Sequence, residues 1–131
     1  MPDKRQIFVF ASNLAGRHGK GSALEAFKNH GAVLGEGVGF HGNSYAIPTK
    51  SGNLLPLSLL HIKPYIRDFL QFAYAYPEFE FNVVAIGCGL AGYIPEQIAP
   101  MFSGHPSNVN LPPKFHAILK ERRHVESLSK T

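Results

Sequence analysis

Cysteine is nearly absent from this 131-residue chain, which holds only Cys88. A lone cysteine excludes an internal disulfide framework and suits a reducing compartment. Long apolar runs are missing as well, so no segment has the length of a membrane span and no membrane partner is expected. The opening residues, MPDKRQ, are polar and lead straight into a strand pattern, unlike a signal peptide, so cytoplasmic residence is expected. The seven histidines show neither HExxH spacing nor a cysteine partner, so neither a metal site nor a cofactor is expected. Acidic residues number nine and are scattered, with no close carboxylate pair for acid/base work.

What is present fits one domain with a real core. A hydrophobic content of 44% with 17% charged residues describes a compact chain, not a disordered one. The net charge of +4 is unevenly placed. From Lys114 to Thr131 there are five Lys/Arg against two Asp/Glu, whereas the rest of the chain has eight against seven. A domain over 1–113 followed by a basic tail over 114–131 is therefore expected. Any nucleic-acid contact is assigned to the tail, because the body is close to neutral.

The chain is organised around Ile7 to Phe27. Ile7-Phe8-Val9-Phe10 has the β-branched and aromatic character of a buried strand. Ser12, Asn13, Gly16, Arg17, His18, Gly19, Lys20 and Gly21 form a polar, glycine-rich turn. Ser22 is the expected N-cap of a helix carrying Ala23, Leu24 and Phe27. A strand, a glycine turn and a helix start make an anion cradle. The first helical N–H groups lack intrahelical partners, and the helix dipole adds partial positive charge.

Further along, Ala32 to Leu34 reads as a short strand inside a glycine-rich loop, and Ser44 to Thr49 as a second strand ended or bent by Pro48. His61 to Tyr76 is the clearest helix, with Ile62, Tyr65, Ile66, Phe69, Phe72, Ala73 and Tyr76 on one face. Pro64 is expected in its first turn, and His61 as a solvated residue near its start. Phe81 to Ile86 reads as a central strand buried on both faces. A second glycine turn, Gly87 to Tyr93, leads into a helix from Ile94, and Phe115 to Leu128 has moderate helical character. Strand–helix alternation predicts an α/β layered domain with largely parallel strands. In such sheets both glycine turns lie at the strands' carboxyl edge, where ligands bind.

Neither glycine turn matches a standard nucleotide motif. Gly87, Gly89 and Gly92 fit GxGxxG after a strand, but no acidic residue follows about 20 positions later. Gly16 to Ser22, GRHGKGS, departs from a P-loop because Lys20 precedes Gly21 instead of Ser or Thr. Cys88 occupies a place open to a nucleophile, yet reads as small buried filler. No carboxylate lies in either turn, so the catalytic candidates are Asn13, which can hold a water, and His18, which can act as a base.

Taken together, the two turns resemble the macrodomain superfamily of ADP-ribose-binding modules. Phe10-Ala11-Ser12-Asn13 is similar to that family's Asn-Ala-Ala-Asn-like segment, and Gly16 to Ala23 to its following glycine-rich loop. Ala85-Ile86-Gly87-Cys88-Gly89-Leu90-Ala91-Gly92-Tyr93 is similar to its phosphate-holding loop. Phrases such as SNLAGRHG, SYAIPTK and IGCGLAGY point to a small bacterial and phage branch. The resemblance implies a three-layer fold, a central mixed and largely parallel sheet flanked by helices. It implies that Asn13 contacts the distal ribose of ADP-ribose or a related nucleotide. It places ligand contacts at Ser12, Gly16, Arg17, Gly19, Lys20, Gly21, Ser22, Gly87, Cys88, Gly89, Leu90, Ala91, Gly92 and Tyr93. Hydrolysis of an ADP-ribosyl link is the alternative activity, and a nucleic-acid module working through the tail is a third.

Overall fold

A computed structural model describes residues 3–129. The chain runs β1 (Arg5–Asn13), α1 (Gly21–Asn29), β2 (Gly39–His41), β3 (Ser44–Lys50), α2 (Leu59–Ala75), β4 (Phe79–Val83) and α3 (Pro95–Ile98). A 3-10 turn (Ala99–Phe102), β5 (Val109–Asn110) and α4 (Pro113–Ser129) complete it. The five strands form one sheet in the order β2-β3-β1-β4-β5. β1 runs parallel to β3 and β4, β4 runs parallel to β5, and only β2 is antiparallel to its neighbour.

The central strand is β1, not the Phe81–Ile86 run. Side chains alternate across a strand, and β1 is apolar on both faces: Ile7 and Val9 enter the larger core, while Phe10 enters a smaller one with Ala23, Ala26, Ala32 and Ala46. β4 is apolar on one face only. Its other face carries Glu80 and Asn82, and Asn82 donates to Gln6 at 2.7 Å while Asn110 donates to Asn82 at 3.0 Å and to Glu80 at 2.8 Å. After a last bond from the Val84 N–H to the Val9 carbonyl at 3.1 Å, the chain leaves the ladder, with the Ile86 N–H turning back to the Val84 carbonyl at 2.7 Å.

Helices cover both faces of the sheet, giving the three-layer α/β fold. α1 lies over the smaller core, and α2, α3 and α4 close the larger one. α2 presents Ile62, Ile66, Phe69 and Ala73 at successive turns, all fully buried. Phe69 sits among Tyr45, Phe81 and Phe102 with ring centroids 5.0, 5.4 and 6.4 Å away. Burial of one such side chain contributes roughly 1.5–3 kcal/mol.

Local expectations fail where a tertiary partner is decisive. No strand forms at 32–34: the Ala32 N–H bonds back to Ala26 at the end of α1, and the Val33 carbonyl closes a turn with Glu36. The short antiparallel strand is β2 instead. Ser58 caps α2, accepting from the His61 N–H at 3.2 Å, so the helix starts earlier than expected and Pro64 lies in its second turn. The carbonyl of Leu60, an exposed residue, consequently has no N–H four residues on. β2 pairs only with 44–46, which leaves Pro48 beyond its reach, as a residue without an N–H requires. In the segment expected as a basic tail, Phe115 and Leu119 belong to the larger core, and Phe115 packs on Phe102 at 5.9 Å. The remaining expected tail residues, 130 and 131, lie outside those described. Among the described residues, no helix is long and apolar enough to cross a membrane.

Candidate functional site

β1 ends in an irregularity between Ser12 and Asn13, and the chain turns there into the first glycine loop. The Asn13 side chain ties that turn together. Its amide donates to the Arg17 carbonyl at 2.7 Å and accepts from the Arg17 N–H at 3.0 Å. Ser12 donates to the Gly37 carbonyl, and Thr49 donates to the Ser12 carbonyl at 3.4 Å. Gly16 has φ +69°, and a Cβ there would collide with the backbone of Gly35 and Glu36. Its glycine is therefore required by close packing. Ser22 is not the N-cap: α1 begins at Gly21, and the Ser22 hydroxyl accepts from the Ala11 N–H at 3.2 Å. That bond joins helix to strand.

The second loop is wound by its own backbone. Cys88 bonds to Ala85 at 3.0 Å, Gly92 to Gly89 at 3.1 Å, and Tyr93 to Gly87 at 2.8 Å. The Tyr93 hydroxyl donates to the Leu57 carbonyl, anchoring the loop to the segment before α2. Pro95 then takes the first position of α3, as expected.

Between these loops, at the carboxyl edge of β3, β1 and β4, lies a cavity of about 840 Å³. Its wall includes Ser12, Asn13, Arg17, Gly19, Lys20, Gly21 and Ser22 from the first loop, and Gly87, Cys88, Gly89, Leu90 and Ala91 from the second. Gly16, Gly92 and Tyr93 of the expected set lie outside this wall and act in loop geometry. Sequence reasoning missed Thr49, Lys50 and Leu54, which arrive from the end of β3, as well as Ala11, Ala23, Val84 and Ala85. Only the pairing of β3 beside β1 brings 49–54 to the rim. Leu54 is the single non-glycine residue with positive φ (64°) among those described.

His18 is not part of the cavity wall. It is 2% exposed, its Nε2 donates to the Val33 carbonyl at 2.9 Å, and its ring packs edge-on against Phe10 at 5.5 Å. The apolar layer between β1 and α1 takes the ring in, so it serves as a core residue, away from the cavity. Cys88 reaches the Ile86 carbonyl at 3.6 Å. Burial foremost, and Glu96 in addition, push its thiol up from the usual range, which favours the thiol over the nucleophilic thiolate.

The electrostatics of the wall have one sign. Arg17, Lys20 and Lys50 line it, and no Asp or Glu does among the described residues. The N–H groups of Gly21, Ser22 and Ala23 in the first turn of α1 make no hydrogen bond, nor do those of Gly89, Leu90 and Ala91. All six residues line the same cavity. Gly19 and Gly89 lack positive φ, and a Cβ on either would meet nothing within 4 Å. Neither backbone conformation nor packing explains those two glycines.

No family model matches the chain, and no curated protein does. Among solved structures, the macrodomain of Mycobacterium tuberculosis DarG matches with a TM-score of 0.61 at 18% identity, covering 84% of this chain and 88% of that chain. The chain therefore has a macrodomain-like fold.

Proposed function

We propose that this macrodomain-like protein binds ADP-ribose or a related nucleotide diphosphate in the cavity between its two glycine-rich loops. The observation that carries the reading is the ring of unbonded backbone N–H groups, three from α1 and three from the second loop, around one cavity lined by three cations. Such N–H groups satisfy phosphate oxygens directly, and the α1 dipole favours the same charge. The volume falls within the range of roughly 300–1,000 Å³ common for small-ligand sites. The macrodomain-like fold supports an ADP-ribose-type ligand over other diphosphates. Gly19 and Gly89 then keep open the space that the ligand fills.

Binding without rapid turnover is the second part of the proposal. Water attack at an ADP-ribosyl carbon needs a base or a group that orients the water. His18 is walled off, Cys88 is held as a thiol, and no carboxylate lines the cavity among the described residues. Asn13 already bonds Arg17 through both ends of its amide. No separate nucleic-acid function is proposed for α4: from 120 to 129 it carries Lys120, Arg122 and Arg123 against Glu121 and Glu126, which is a weak patch.

Isothermal titration with ADP-ribose tests the reading. One-to-one binding, weakened when Lys20 is replaced by Gln, is the expected result. Absence of heat with a folded protein would refute it. Rapid release of ADP-ribose from a modified protein would refute the absence of turnover.

A further inference from the structure

We propose that Leu54 is a specificity residue of the cavity, held in a strained backbone conformation so that its side chain packs on a ring of the ligand joined to the diphosphate. This rests on the diphosphate reading above and assigns a contact to the part of the ligand that is not phosphate.

Leucine at φ +64° is not what the turn itself calls for. The left-handed region brings the Cβ of an L-residue close to the following carbonyl, and glycine or asparagine takes it far more readily. Both types stand immediately before, at Gly52 and Asn53, and neither has positive φ. The turn is fastened so that the strained position falls on Leu54. The Ser51 hydroxyl accepts from the N–H groups of Asn53 and Leu55, each at 3.3 Å. The Leu54 N–H donates to the Ser51 carbonyl at 3.0 Å, and the Ser51 N–H to the Leu55 carbonyl at 2.8 Å. Lys50 bridges to Pro56 just outside these bonds.

Packing does not offset that strain. The Leu54 side chain is 43% exposed and belongs to neither core. What it joins is the cavity wall, where Leu90, 60% exposed, enters from the second loop. The two leucines come from opposite sides of β1, since β3 leads to Leu54 and β4 to Leu90. Phosphate oxygens are met by the cations and the N–H groups, and a leucine offers them nothing. Its surface leaves water when a carbon surface covers it. A ribose or base attached to the diphosphate supplies that surface. Strain held in place by surrounding bonds is a property of ligand clamps.

Titration of wild type, Leu54→Gly and Leu54→Met with ADP-ribose, ADP and pyrophosphate tests the assignment, together with a thermal melt of each protein. Leu54→Gly relieves the backbone and removes the side chain. It is expected to melt at or above wild type and to bind ADP-ribose about five- to tenfold more weakly. Leu54→Met keeps an apolar side chain and should bind ADP-ribose within about twofold of wild type. Pyrophosphate, which carries no ring, should not distinguish Leu54→Gly from wild type. Loss confined to ADP-ribose puts the second ribose on Leu54, and loss with ADP as well puts the nucleoside there; both support the assignment. A Leu54→Gly protein that melts well below wild type would make the leucine a packing residue. One that binds ADP-ribose as tightly as wild type would leave the strain without a ligand. Either result overturns the assignment and leaves the diphosphate reading intact. Equal loss for pyrophosphate would overturn it as well, because the variant then acts through the neighbouring Lys50. If wild type melts cooperatively and binds none of the three, the diphosphate reading falls and the assignment with it.

Discussion

Individual residues in the two loops have separable duties, and glycine shows this most clearly. Gly16 is fixed by φ +69° and by the backbone of Gly35 and Glu36, so it is a packing residue beneath the cavity. Gly19 has open space around a Cβ and no unusual backbone conformation. The two should respond oppositely to alanine. Gly16→Ala is expected to cost about 1–3 kcal/mol, through strain and displacement of the 35–36 backbone. Gly19→Ala should leave the melting temperature unchanged and, on the proposed function, weaken ligand binding, because its methyl group would occupy cavity space that the proposed diphosphate needs. Thermal melts and titrations on the pair separate these effects. Equal melting of Gly16→Ala and wild type would show that the 35–36 segment is free to move aside.

At the scale of elements, α4 is the instructive case. Its composition is basic, and its buried anchors to the core are Phe115 and Leu119, four residues apart on one side, with Ile118 partly buried beside them. Phe115 covers Phe102 of the 3-10 turn, which in turn touches Phe69 of α2. Truncation after Pro113 would uncover that chain of rings. Loss of two buried side chains costs roughly 3–6 kcal/mol, comparable with the whole stability of a small domain. The truncated chain is expected to lose its cooperative unfolding transition, measured by circular dichroism. Truncation after Arg123, which keeps both anchors, should melt close to wild type. If the shorter chain also melts like wild type, α4 is an appendage.

For the molecule as a whole, Tyr45 links stability to pH. It lies on β3 against Phe69 and Phe72 of α2, so an ionised phenolate would disturb the contact between sheet and helix layer. Burial foremost, and the Asp68 charge in addition, push its pKa up to about 12. The unfolded value is near 10, so the folded state favours the neutral phenol. Stability from this group is fully present below pH 10 and is lost as pH rises through the folded pKa. Denaturant midpoints should therefore fall across about pH 10–12, and Tyr45→Phe should flatten that fall. An identical alkaline limb in the variant would assign the effect to other groups.

Local pattern determined a good deal of this protein. The run Ile7–Phe10, the period of α2 and the two glycine turns after strands are each legible from neighbours within a few residues, because periodicity and turn chemistry are local. From these follow an α/β fold and two loops on one rim. Strand order is a different matter. It depends on partners such as Phe8 with Ser44 and Ile7 with Phe81, far apart in the chain. Hence β1, and not the apolar 81–86 run, holds the centre. The same pairing carries Lys50 and Leu54 to the cavity, a placement no motif announces. The destination of His18 was equally hidden, since the loop composition around it is polar while Phe10 and α1 offer its ring an apolar berth. Residue types and their spacing determined which segments form polar, glycine-rich turns after strands; only tertiary packing decided which side chains line the cavity between them, because burial is settled by the surfaces that meet.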